Sequence, residues 1–187
     1  MMEGLRKYIR TLLLEYVSAQ DIEDVKQTAQ VVHMGQTRRD KSLGISHPLG
    51  VYDITKKYYP RNHSAQLLAL LHDTLEDADK VGNVSKSEAH EMIQASIHDL
   101  QALEQVNAGL ELLTHDKSVP YEEYLYLVFQ HPIAAIVKVS DLIHNLSYSP
   151  SPTQLEKYRS ALEQTPVPRH IHPEHMAELK KILWSHR

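Results

Sequence analysis

The chain has 187 residues, no cysteine, 13 histidines and a net charge of −4. That length fits one domain with a substantial core, and the missing thiols exclude disulfides, thiolate metal sites and a cysteine nucleophile. No basic face dominates, which argues against nucleic acid as a partner, and the longest apolar run near the start, Leu12-Leu13-Leu14, stops at Glu15, too short for a signal peptide or a membrane span. A soluble cytoplasmic protein is the expectation. Helical spacing of apolar residues dominates, and no alternating strand pattern of useful length appears. Leu5, Tyr8, Ile9, Leu12, Leu13 and Tyr16 predict a first amphipathic helix, and Ile22, Val25, Ala29 and Val32 a second from Asp21 to Met34. A third starts at His47-Pro48, where proline suits the first turn, and stops at Tyr58 before Pro60. A buried helix follows from Ser64 to Glu76, then segments near 86–97 and 99–114, with Asp99 as the N-cap of the latter. Pro120 opens a helix to residue 130, and Pro132 opens one over Ile133 to Ser147. Ser149-Pro150-Ser151-Pro152 is a breaker, Thr153 a cap for a helix to Gln164, and Pro173 the start of the last helix, ending near Trp184. About ten helices in one all-α domain spanning 1–187 are expected.

The run from Ala65 to Asp77 carries the most information. Its first seven residues are apolar nearly all round, the pattern of a helix buried on every side, and His72, Asp73, Glu76 and Asp77 then follow within six positions. Residues three and four apart stack on a helix, so these groups crowd one face, and three carboxylates in an apolar setting need compensation. A divalent cation supplies it; a buried ion-pair network is the alternative. Two other His-Asp pairs have plainer readings: Asp99 of His98-Asp99 as a cap, and His115-Asp116 as loop chemistry before Lys117-Ser118. Asp141 interrupts an apolar stretch of Ile136, Val137, Leu142 and Ile143, with Asn145 one turn on. Taken with His47, a set of two histidines and two carboxylates emerges (His47, His72, Asp73 and Asp141), a mixture suited to Mn²⁺, Fe²⁺ or Zn²⁺ rather than Ca²⁺.

His…His-Asp…Asp in this order on helices resembles the HD-domain phosphohydrolases. The segments AQVVHMGQTRR (29–39), HP (47–48), LLHDTLED (70–77), LTHDKSVPY (113–121) and VKVSDLIHNL (137–146) are similar to the hydrolase domain of the Rel/SpoT alarmone enzymes and to the small stand-alone alarmone hydrolases. The similarity covers residues 22–165. It implies an all-helical fold, Mn²⁺ or another divalent transition metal on His47, His72, Asp73 and Asp141, and removal of the 3′-pyrophosphate of ppGpp or pppGpp. It also implies a catalytic acid pair at Glu76 and Asp77, a guanine-steadying Arg38, a substrate-contacting Asn145, and Tyr158 as an aromatic near the nucleotide. Arg39 and Lys41 are further candidates for developing phosphate charge. Two departures stand out: Leu43-Gly44 occupy the place of a Pro-Tyr, and Leu142 follows Asp141 where the family carries Arg, removing a positive charge beside the metal. The first favours an alternative nucleotide substrate such as NADPH; a non-catalytic nucleotide-binding domain is the third reading. His170, His172 and His175 form a rival histidine cluster, read as adventitious at most. His33 reads as a packing or supporting residue, and His144 as a group orienting Asp141. A homo-oligomer is compatible with the first helix, which lies outside the similarity and is free to pack on the domain or on a partner subunit.

Overall fold

The computed structural model describes residues 2–80, 84–148 and 150–185, without the side chains of 2, 3, 7 and 10–18. Ten helices follow one another: α1 (Met2–Val32), α2 (Ser46–Tyr58), α3 (His63–Leu71), α4 (Thr74–Asp77), α5 (Lys86–Ser96), α6 (Leu100–Leu113), α7 (Tyr121–Gln130), α8 (Pro132–Ser147), α9 (Pro152–Gln164) and α10 (Pro173–Ser185). The protein is all-helical; among the described residues the sole β-type pairing is an isolated antiparallel bridge between Thr37 and Leu43. No described helix is long and apolar enough to cross a membrane.

The expected buried helix is the hub. Every residue of α3 from Ser64 to Leu71 is buried, and α3 packs against α1, α2, α6 and α8. Each fully buried leucine there contributes roughly 1.5–3 kcal/mol. Gly109 on α6 permits the close approach, because a Cβ at that position would collide with a methyl of Leu68. The second central helix is α8, buried at twelve of its sixteen positions and packed against α2, α3, α6, α7 and α10. Helices α2, α3 and α8 therefore meet pairwise, and their meeting point is where the site lies.

Side-chain caps start five of the helices. Asn62 accepts from Ala65 N–H, Asp99 from the N–H groups of Gln101 and Ala102 as expected, and Ser85 forms a capping box with Glu88. Three boundaries differ from expectation. The two predicted N-terminal helices are one, since nothing between residues 17 and 21 breaks the hydrogen-bond ladder; Leu5, Tyr8 and Ile9 are exposed on it, while the side chains of Leu12, Leu13 and Tyr16 lie outside the described residues. Asp21 does not start a helix, because its buried carboxylate accepts instead from the His98 and Asp99 N–H groups. The predicted 64–76 helix stops at Leu71 and resumes as the single turn α4, with His72 and Asp73 as the connecting residues. Ser151, not Thr153, caps α9, because Pro152 fits the first helical position and Gln154 completes the capping box; Ser149 of the predicted breaker is outside the described residues.

Candidate metal centre and substrate pocket

Each element delivers one part of the centre. His47 sits in the first turn of α2, His72 closes α3, Asp73 opens α4, and Asp141 lies in the buried middle of α8. The His47 Nε2 is 3.1 Å from His72 Nε2, 3.2 Å from Asp73 Oδ2 and 3.2 Å from Asp141 Oδ1. The His72 Nε2 is 3.2 Å from Asp73 Oδ1 and 3.8 Å from Asp141 Oδ1. Ligand atoms about 2.1 Å from a shared ion stand about 3.0 Å apart at right angles and about 3.4 Å apart at the tetrahedral angle. The four spacings of 3.1–3.2 Å fall between those edges, and the 3.8 Å from His72 to Asp141 exceeds them. His47, His72 and Asp73 alone form a group whose ligand atoms all lie within 4.8 Å and could hold a metal ion; Asp141 reaches it through both imidazoles.

The surroundings orient these atoms. His72 Nδ1 lies 2.9 Å from the Ala69 carbonyl, so its Nδ1–H is used there and Nε2 is the atom turned toward the cluster. His47 Nδ1 lies 2.9 Å from His144 Nδ1. Burial first, and then the nearby His47 and Arg38, push His144 down to about 4, so at neutral pH its Nδ1 accepts the His47 proton. His144 thus orients His47 rather than Asp141. Burial opposes charge on the histidines and on the acids, yet their mutual attraction wins: His72 is raised to about 10, and Asp73 and Asp141 are held well below the usual carboxylate range.

Gly50 makes room for His144, since a Cβ there would overlap the imidazole Nε2 and Cδ2. Gly50→Ala is therefore expected to displace His144, release His47 and weaken Mn²⁺ affinity about tenfold, as second-sphere changes typically do. Calorimetric titration with Mn²⁺ checks this; unchanged affinity would mean His144 does not set the His47 orientation.

Asp141 has a cation beside it after all. Lys138 donates to Asp141 Oδ2 at 2.9 Å, with only 14% and 8% of the two side chains exposed, and Asn145 Nδ2 donates to Oδ1 at 2.5 Å. The expected loss of positive charge at Leu142 is corrected by this lysine one turn earlier. The i,i+3 spacing on a helix was the available signal.

A cavity of about 340 Å³ opens beside the cluster, with Gln36, Arg38, His47, Asp73, Asp77 and Lys80 in its wall. Arg38 donates to Asn145 Oδ1 at 3.3 Å, linking the pocket to Asp141 through Asn145. It also borders a second cavity of about 520 Å³ with Arg39, Asn145, Tyr148 and Gln154. Asp77 lies 3.5 Å from His33 Nδ1, contacts Lys80, and its carbonyl accepts from Gln36. His33 is buried, and its Nδ1 pairs with Gln36 Oε1 at 2.9 Å, the same Gln36 whose amide donates to the Asp77 carbonyl. Glu76 is turned elsewhere: it is exposed and accepts from the His115 N–H at 3.0 Å. Lys41 is exposed in the turn closed by the Thr37–Leu43 bridge, where its φ of 68° is left-handed, and it borders neither cavity. Tyr158 is buried against Tyr121, with the Lys157 ammonium 4.9 Å from its ring, and also borders neither. Arg38, Asn145 and Asp77 thus lie with the four candidate ligands, whereas Glu76, Lys41 and Tyr158 stand apart. The C-terminal histidines separate: His175 is buried against α8, and among the described residues no ligand trio forms there. Neither a scan of family models nor a search of curated proteins matches this chain.

Proposed function

We infer that the chain is a divalent-metal-dependent phosphohydrolase of a nucleotide, and that the group it removes is the 3′-pyrophosphate of ppGpp or pppGpp. The observation that carries this is the convergence of two imidazole Nε2 atoms and two carboxylates beside a cavity walled by Arg38 and Asp77. His47, His72, Asp73 and Asp141 would hold the ion, and their donor set fits Mn²⁺ among the transition metals. A divalent ion held there supplies Lewis acidity, acidifying water and polarising a phosphoryl oxygen. The protein does the rest. Arg38, fixed by Asn145, offers its remaining guanidinium N–H groups to the substrate. Asp77, paired with Lys80, accepts a hydrogen bond from the attacking water and takes its proton. The buried rear wall formed by α3 and α8 keeps bulk water from the ligand face.

Asp77→Asn is expected to lower turnover about 10²-fold while keeping the metal, and Glu76→Gln to change it far less, because Glu76 faces the 115 loop. Steady-state kinetics beside elemental analysis reads both; equal losses would restore a paired role.

One observation favours a different nucleotide. Leu43 is exposed and absent from the pocket wall, and Gly44 lines it without a side chain, so no aromatic platform lies under a base at that point. Assaying ppGpp, pppGpp, NADPH and ordinary nucleoside phosphates with the Mn²⁺-loaded protein tests the proposal. Release of pyrophosphate from ppGpp supports it, phosphate from NADPH supports the second substrate, and no turnover of any by metal-loaded protein rejects an enzyme.

A further inference from the structure

Asp77 creates an electrostatic difficulty. It lines the same cavity as Asp73 and Arg38, into which a phosphate-bearing substrate has to enter. When a divalent ion takes up the charge of Asp73 and Asp141, Asp77 remains as a carboxylate facing an incoming anion, and like charges at that range repel. The chain supplies a cation three residues later. Lys80 stands in the cavity wall, its ammonium contacts Asp77 Oδ1, and Asp73 and Glu76 are the other carboxylates that act on it. Its side chain is 59% exposed, and an ammonium carries three N–H donors, so pairing with Asp77 leaves donors for a ligand. Arg38 is the second cation of that wall, so a phosphate entering between them meets a guanidinium and an ammonium.

We propose that Lys80 is a substrate-binding residue of the pocket, screening Asp77 and contacting a phosphate oxygen of the ligand. It rests on the metal-dependent phosphohydrolase reading above, and the test separates the two. Lys80 is an ordinary surface partner of Asp77 if this is wrong, and then its removal changes no anion affinity.

The experiment titrates inorganic phosphate into the full chain by calorimetry, with saturating Mn²⁺ and again in chelator, for the parent, Lys80→Met, Lys80→Arg and Asp77→Asn/Lys80→Met. Lys80→Met is expected to weaken phosphate about tenfold in Mn²⁺, as loss of a charge-assisted hydrogen bond does. Lys80→Arg should retain most of the affinity. Asp77→Asn/Lys80→Met should recover part of the loss, because the repelling carboxylate is gone. Thermal unfolding of each variant checks that the fold is intact. Equal phosphate affinity for the parent and Lys80→Met in both conditions overturns the assignment. A parent that takes up no Mn²⁺ yet loses phosphate on Lys80→Met keeps Lys80 and rejects the metal centre.

Discussion

Asp141→Ala is expected to abolish metal uptake and activity and to destabilise the fold by about 3–5 kcal/mol, the cost of leaving one partner of a buried ion pair alone. The partner is Lys138, whose ammonium lies 2.9 Å from Asp141 Oδ2 and whose pKa is held well above the usual lysine value; burial works against the charge, but Asp141 outweighs it. Without the carboxylate, the ammonium stays buried among Tyr121 and Tyr124, whose rings cannot replace the lost pairing. A loss of that size is a large share of an ordinary domain's 5–15 kcal/mol stability. Lys138→Met with Asp141→Ala should recover most of the stability and none of the metal. Asp73→Ala separates the roles from the other side. Its carboxylate is 31% exposed and pairs with His47 and His72 rather than with a buried lysine, so its removal should cost metal with a smaller loss of stability. Urea unfolding and metal content per chain, read on the four proteins, decide the matter; Asp141→Ala retaining one Mn²⁺ per chain would end the ligand assignment.

Much of this was legible in the sequence, because it depends on local rules. The all-helical fold follows from helical spacing, α3 from its unbroken apolar run, and α6 from Asp99 as a cap. The four candidate ligands are marked by ionisable groups set in apolar surroundings, and they converge within one cluster. What was hidden depends on placement between distant segments. His144 and His47 are 97 positions apart, so nothing in either neighbourhood showed their Nδ1 atoms facing each other. Glu76 reads as the twin of Asp77 by spacing, but the chain breaks at His72-Asp73 and the 115 loop offers a backbone N–H that captures it. Lys138 and Lys80 could have been found, since each stands three residues from the acid it pairs with. Both look like solvated lysines until burial or a cavity wall gives them a task.

The other large effect expected is a loss of stability on acidification, carried by His175. This residue of α10 is fully buried, its ring stacks on Tyr58 at 4.6 Å, and its Nε2 lies 3.1 Å from Ser140 Oγ on α8. The hydrogen bonds run in one consistent direction: Thr55 Oγ1 donates to Ser140, Ser140 donates to the Ile136 carbonyl, and His175 Nε2–H therefore donates to Ser140. On the other side His172 N–H donates to the Tyr59 hydroxyl, whose own proton points to His175 Nδ1 at 3.4 Å. Every group is satisfied with the ring neutral, and a proton on Nδ1 would face the Tyr59 donor. Burial is the main influence, His172 and Lys57 add to it, Glu178 opposes, and His175 is pushed down to about 4. The folded-state pKa thus lies below the unfolded value near 6.5. Its contribution is complete above about pH 6.5, falls as pH drops toward 4 because the unfolded chain takes up the proton first, and is level below that. The difference amounts to on the order of 3 kcal/mol. His144 titrates in the same window, so the reading is the difference between the parent and His175→Gln, whose side-chain N–H keeps the bond to Ser140 and does not titrate. Urea unfolding from pH 7.5 to pH 4 should show the parent losing stability more steeply than His175→Gln. Parallel curves would mean that α10 docks on α8 without regard to the charge of His175.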